Sequence, residues 1–320
     1  MIEKKHICIA PGRPETRLDL FLLEHFPTSS RSLVAHAIQA GEVLVNGKKA
    51  PKGRRISSGD EIQVLRIMEP SDLRVQPDAA LPLSILYEDE AVIAVDKPSG
   101  MPVHPLRASE TGTLANALLA RYPGLAEVGD DPLFPAFVHR LDTETSGVVL
   151  AAKNNASYAK LRDQFRNKQI GKTYLALVQG PVSQAGHIEN YLSHHPADRR
   201  KMMVEKEPGN PHGIHPLRAV TSYTVRKRFV DYTLLEVTIA TGVTHQIRCQ
   251  LAHEGHPVAG DRTYGRHSFK PGEPGRLFLH AAAIRFAHPD GGKAVRVESG
   301  LPVDLRMILS KLEKECELRS

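Results

Sequence analysis

Residues 148 to 152, Val-Val-Leu-Ala-Ala, form an unbroken apolar run that follows directly on the string His-Arg-Leu-Asp-Thr-Glu-Thr-Ser-Gly at 139–147. A short apolar run opened by a small-residue turn reads as a buried strand, and it commits the chain to a sheet around it. The same layout sets the carboxylate of Asp142 at the edge of that strand, beside His139 and Arg140. One aspartate next to positive charge suits nucleophilic or acid/base work on a polyanion. Arg-Leu-Asp alone would equally describe a surface turn before a strand.

Charge bears on the choice. The 320 residues carry a formal charge of +6, and the pI is near 9.2. That favours an anionic partner, and the distribution says more than the total. Six Lys or Arg and one acid, Glu42, lie between Arg31 and Arg55. Further basic clusters stand at 199–201 and 226–228. Cys8, Cys249 and Cys316 are scattered and odd in number, so they suggest neither a disulfide framework nor a CxxC metal site. Residues 1–10 are charged and lack the apolar core of a signal peptide, and no run approaches a membrane span. A cytoplasmic monomer with no membrane association is expected.

The chain divides into an irregular lead-in (1–14), a small basic module (15–76), a linker with Pro77 (77–82) and one large domain (83–320) closed by a short polar helix. In the module, Leu18, Phe21, Leu22 and Phe26 give one amphipathic helix. A second starts at Ser29 or Ser30 as N-cap, with a stripe of Leu33, Val34, Ala37 and Ile38 and a stop at Gly41. Asn46-Gly47 after Val43–Val45 predicts a tight hairpin, and Gly59-Asp60 introduces a strand over 61–67.

In the large domain a hairpin is predicted around Asp89-Glu90, and helices over 113–121 and 157–167. Strands are predicted at 148–152, 174–178, 221–228, 233–241 and 282–286. Strands dominate, so the fold class is α+β, with a mainly antiparallel mixed sheet and a small N-terminal α/β module.

The nine-residue string resembles the signature H-R-L-D-x-x-T-S-G of the RluA-type pseudouridine synthases, with every specified position present. Four further segments match: Glu88 to His104-Pro105, Thr111 to Leu118, Gly171 to Val178, and Thr241 to Arg248 running on to Gly260-Asp261. The module resembles an S4 RNA-binding domain through Arg17-Leu18-Asp19, Ser30-Arg31-Ser32, Gly41, Val45-Asn46-Gly47 and Gly59-Asp60.

The resemblance implies isomerisation of uridine to pseudouridine within RNA, without metal or cofactor. Asp142 is then the catalytic residue, attacking C1′ or abstracting a sugar proton to give a glycal. Tyr174 packs on the base, its hydroxyl available as a general base, and Arg248 pairs with the aspartate. His139 and Arg140 face the RNA, as do Arg31, Lys48, Lys49, Lys52, Arg54 and Arg55 of the module. The target base must leave its stack to be reached. The S4 module points to large-subunit ribosomal RNA, and transfer RNA stays open as the alternative.

Other readings are weaker. Gly171-Lys172-Thr173 is no P-loop, because the position five before Gly171 is Arg166. His253-Glu-Gly-His256 lacks zincin spacing. A glycosidic hydrolase needs a second placed acid, and Glu144 occupies a variable position. A non-catalytic RNA-binding protein need not keep Asp142, Tyr174 and Arg248 together. The chain departs from the family at Val243, where an arginine is usual, and at Cys249-Gln250, where Val-His is usual. Loss of that arginine is expected to alter substrate choice.

Overall fold

The computed structural model describes residues 2–10, 14–51, 53–68, 74–198, 200–205, 215–265 and 275–318. Lys52, Arg199 and the part of the proline-bearing junction at 69–73 lie outside them. Two units are distinguished: residues 1–76 with 105–110 and 131–133, and the remainder of the chain.

The small unit runs β1 (Ile2–Cys8), β2 (Thr16–Arg17), α1 (Leu18–His25), α2 (Arg31–Ala40), β3 (Val43–Val45), β4 (Lys48–Lys49), β5 (Arg55–Ile56) and β6 (Glu61–Ile67). Ser30 caps α2, its hydroxyl accepting from the Leu33 amide at 3.3 Å. Gly41 ends it in the left-handed region. Asn46 and Gly47 both have positive φ, 52° and 72°, as a two-residue hairpin demands. Phe21, Leu22, Phe26, Val34, Ile38, Ile56, Ile62 and Ile67 fill one core. The lead-in is not irregular: β1 pairs antiparallel with β6, from Ile2↔Ile67 to Cys8↔Glu61, and Ile9 enters the core. The strand order is β1-β6-β3-β4, with β2 and β5 paired separately. Arg31, Lys48, Lys49, Arg54 and Arg55 are all exposed. Arg55 pairs with Glu15 at 3.0 Å, Arg54 with Asp60 at 3.7 Å, and Lys49 donates to the Ala40 carbonyl at the end of α2.

The large unit contains β7 (Ser84–Glu88), β8 (Val92–Lys97), α3 (Leu114–Arg121), β9 (Ser146–Ala152), α4 (Asn155–Arg166), β10 (Gly171–Gln179), β11 (Gly186–His194) and β12 (Met202–Glu205). There follow β13 (Leu217–Arg228), β14 (Tyr232–Ile239), α5 (Gln246–His253), β15 (Leu279–Ala287), β16 (Ala294–Glu298) and α6 (Val303–Glu317). One ten-stranded sheet has the order β12-β11-β13-β14-β10-β15-β9-β8-β7, with β16 on β15. It is antiparallel except where β9 meets β15. All seven residues of β9 are buried, as the apolar run required.

The one parallel contact explains a glycine. Gly147 has φ +115°, and a Cβ there would lie 2.2 Å from the Ala281 carbonyl oxygen. Only glycine lets β9 and β15 approach while the preceding turn leaves the sheet.

Among the described residues no helix is long and apolar enough to cross a membrane.

Candidate active site

Asp142 sits on the turn leading into β9, and that turn is held from beneath. Lys97, at the end of β8, is fully buried. Its ammonium donates to the carbonyls of Pro98 (3.0 Å), Met101 (2.7 Å) and Thr143 (3.0 Å). The Gly100 amide donates to the Thr143 carbonyl at 2.8 Å, and the Ser99 hydroxyl to the Glu144 carbonyl at 2.7 Å. Burial lowers the Lys97 pKa to about 7, with the Asp142 charge opposing the shift. All three ammonium protons are spent on carbonyls, so Lys97 builds the turn and is not a base. The Thr145 amide closes the turn on the Asp142 carbonyl at 3.1 Å.

Arg248 lies on α5 and is buried. Its Nη1 donates to Asp142 Oδ2 at 3.0 Å. Its Nε and Nη2 grip Asp261 at 2.7 and 2.9 Å. Asp261 also accepts from the amides of Thr263 and Tyr264. The Arg248 ring of donors thus faces two carboxylates, one with a fully buried side chain and one with 22% of its side chain exposed. Burial alone would raise the Asp261 pKa, but the Arg248 hydrogen bonds and charge outweigh it and hold the carboxyl below its usual value. For Arg248, burial works against the charged form and the two carboxylates more than restore it. In the sequence Asp261 stands at the end of a segment that matches the family. As an orienter of Arg248 it had no sequence signal beyond that.

The loop before α5 is locked by Gln246, which is buried and fully bonded. Its Oε1 accepts from the Thr241 hydroxyl and the Val243 amide. Its Nε2 donates to the Val220 carbonyl and the Thr221 hydroxyl. Gln250, where histidine is usual, ties α5 to β11 and β13 through Asn190, Ala219 and Thr221. Val243 packs against Leu192, Met202, Ala219 and Cys249, an apolar cluster where the usual arginine would have brought charge.

Tyr174 lies on β10 at a register shift in the pairing with β15. Such a shift re-aims a side chain. It is 8% exposed. Burial, then the Asp142 charge, push its phenol pKa well up. A phenol held protonated is a poor general base, which argues against a base role for the hydroxyl.

Asp142, Tyr174, Val243, Gln246 and Arg248 line a cleft of about 770 Å³, ample for a nucleotide base. Asp142 is the only carboxylate among the described lining residues. Arg140, Arg162, Arg166, Lys168, Lys172 and Arg218 surround it. Five of these six cations were not singled out in the sequence, although Arg162 and Arg166 stand one turn apart on α4.

His139 departs from expectation. Its Nε2 accepts from the Leu150 amide at 2.9 Å, and its ring stacks on Phe165. Burial, and Lys172 nearby, push its pKa down to about 3. A neutral ring bonded inward is a wall of the cleft and not a grip on phosphate. Arg140 beside it is exposed. No cluster of three or more metal-ligating side chains is found among the described residues.

Comparison with known proteins identifies the family. The profile of a family described as RNA pseudouridylate synthase matches residues 91–253, and that of the S4 domain matches residues 16–62. An uncharacterized RNA pseudouridine synthase of Aquifex aeolicus is 40% identical over 310 residues, covering 94% of this chain and 95% of that protein. The ribosomal large subunit pseudouridine synthase D of Xanthomonas campestris is 36% identical, covering 96% and 91%. Among solved structures, human RNA pseudouridylate synthase domain containing 1 superposes with a TM-score of 0.58 at 26% identity, over 76% of this chain and 98% of that one. The chain belongs to the RNA pseudouridine synthase family and is an isomerase that converts uridine to pseudouridine in RNA.

Proposed function

We propose that the protein modifies large-subunit ribosomal RNA, with Asp142 as its nucleophile. The observation that carries the catalytic reading is a carboxylate, alone among the described lining residues, in a cationic cleft and held by a buried arginine. Support for the substrate comes from the relatives in Xanthomonas and Xylella, both named ribosomal large subunit pseudouridine synthase D.

In this reading the target uridine is flipped into the cleft, at a cost of roughly a few kcal/mol that loops and bulges reduce. The ring of Tyr174 packs on the uracil. Asp142 acts at the ribose, and the N1–C1′ bond breaks. The freed uracil turns, and its C5 bonds to C1′. The C5 proton is lost and N1 gains one, so atoms and charge balance without a redox step. Arg248 orients Asp142 and pairs its charge in the cleft, its Nη1 donating to Oδ2 at 3.0 Å. Arg140, exposed at the cleft, fills the space that the flipped base leaves in this reading. Exposed Arg31, Lys48, Lys49, Arg54 and Arg55 of the S4 module offer phosphate contacts, which position the protein and carry little sequence information. The enzyme works as a cytoplasmic monomer.

The test is tritium release from RNA labelled at uridine C5, run on ribosomal and transfer RNA separately with wild type and Asp142→Asn. Release from ribosomal RNA that the variant abolishes is expected, with RNA affinity little changed. Activity retained by Asp142→Asn overturns the nucleophile. Release from transfer RNA alone overturns the substrate.

A further inference from the structure

His245 precedes α5 and is one of four described non-glycine residues with positive φ, at 53°. A histidine in the left-handed region is uncommon and is held there only when its surroundings demand it. It does not cap its helix with its side chain. Its Nδ1 lies 3.0 Å from the Tyr264 hydroxyl, and its Nε2 lies 3.8 Å from Asp142 Oδ2.

Hydrogen-bond accounting sets the tautomer. The Tyr264 oxygen accepts from the Met202 amide at 2.7 Å. Its own proton is therefore free to be donated to His245 Nδ1. A ring that accepts at Nδ1 carries its proton on Nε2 when neutral, and Nε2 faces the carboxylate. The opposite tautomer would aim a lone pair at an anion. Burial is the leading influence on the imidazole and lowers its pKa, so the neutral ring is the form present. Tyr264 is fixed in turn: its ring lies 5.3 Å from the Arg248 guanidinium, and its amide donates to Asp261. A chain of contacts thus runs from the backbone of β12, through Tyr264 and His245, to the reactive aspartate.

Arg248 and His245 both approach the same oxygen, Oδ2. Among the described residues, no side chain donates to Oδ1. We propose that His245 is a positioning residue. Its Nε2–H, aligned by Tyr264, engages Asp142 Oδ2 alongside Arg248 and leaves Oδ1 as the oxygen that reacts. The 3.8 Å separation is longer than a hydrogen bond, and catalytic contacts of this kind tighten when substrate is bound. The proposal rests on the reading of Asp142 as the reacting carboxylate.

The experiment measures kcat and KM by tritium release, RNA affinity by filter binding, and thermal unfolding, for His245→Ala, His245→Gln and Tyr264→Phe. Misplacing a reacting group by about an ångström costs on the order of 100-fold. His245→Ala is expected to lower kcat by roughly 10- to 100-fold with KM and RNA affinity near wild type. His245→Gln places an amide N–H where Nε2–H stood and should recover most of that loss. Tyr264→Phe, which frees the ring to take either tautomer, should fall between them. A folded His245→Ala enzyme with wild-type kcat overturns the proposal. So does a His245→Gln enzyme as slow as His245→Ala, or a loss confined to KM. Turnover retained by Asp142→Asn would instead overturn the reading beneath it, so the two failures are told apart.

Discussion

Asp142 and Asp261 share one arginine, and replacing each by asparagine should have opposite consequences. In Asp261, Oδ2 accepts from Arg248 Nε at 2.7 Å, and Oδ1 accepts from Arg248 Nη2 and the amides of Thr263 and Tyr264. An asparagine can leave its oxygen at the three-donor position only by turning its NH2 against the Arg248 Nε–H. Either orientation sets donor against donor with the side chain fully buried. Breaking a buried ion pair from one side costs about 3–5 kcal/mol. In a unit of this size each kcal/mol is worth about 2–4 °C, so Asp261→Asn should melt about 6–20 °C below wild type. Asp142 accepts one bond from Arg248 and is partly exposed. Arg248 keeps Asp261 when that bond goes, so the loss is about 1 kcal/mol, or about 2–4 °C. The assay is thermal unfolding by circular dichroism at pH 7 without RNA, paired with tritium release. Asp261→Asn should melt low and lose roughly 10- to 100-fold in kcat as Arg248 loses its fixed geometry. Asp142→Asn should melt near wild type and be inactive. If Asp261→Asn melts within about 2 °C of wild type, or if Asp142→Asn is the less stable, the division into a structural and a reactive carboxylate is wrong.

Other perturbations probe the supports of the site. Lys97→Met strands the Pro98 and Met101 carbonyls, leaves the Thr143 carbonyl to the Gly100 amide alone, and should cost about 1–3 kcal/mol or more, seen as a lower urea midpoint; an unchanged midpoint would remove Lys97 from the foundation of the turn. Asp89 accepts from the amides of Ala91 and Val92, from the Tyr87 hydroxyl and from His288. Burial raises its pKa, but these hydrogen bonds outweigh burial and bring it down to about 2, while the His288 pKa is raised, first by its bond to the Asp290 carbonyl and then by Asp89. The Asp89 contribution is present above its usual 3.8 and lost as pH falls toward 2. The His288 contribution is full below its usual 6.5 and lost as pH rises through the raised value. The stability gap between wild type and Asp89→Asn should therefore peak near pH 5, and a gap independent of pH would contradict the pairing. Val243→Arg adds a cation to the cleft and should steepen the salt dependence of RNA binding by about one unit of slope; an unchanged slope with unchanged site preference would deny position 243 a part in substrate choice.

Local signals were legible where one residue type answers one backbone need. Ser30 and Gly41 bounded α2, and Asn46-Gly47 turned the hairpin, because capping and positive φ are satisfied within a few residues. The strands with apolar runs, β9 and β14, were visible for the same reason. Elements that depend on distant partners were not. β1 is rich in charge and is an edge strand whose hydrogen bonds come from β6, over residues 61–67. The helix α5 shows no polar face, because Gln246, Arg248 and Gln250 are buried with Ile247 and Leu251 and satisfied by side-chain bonds. Periodicity cannot reveal a helix that buries its polar residues too.

By itself the sequence determined the character of most strands and helices and the family to which the chain belongs, since the matching segments each carry their residue types at fixed local spacing. The tertiary structure decided which groups meet. Asp142 and Arg248 are 106 residues apart, and Lys97 reaches the Thr143 carbonyl across 46. It also decided which histidine faces the carboxylate, which lysine is consumed in holding a turn, and which of two aspartates is sealed from water. Those outcomes depend on burial and on the directions of individual hydrogen bonds, which residue spacing along a chain does not encode.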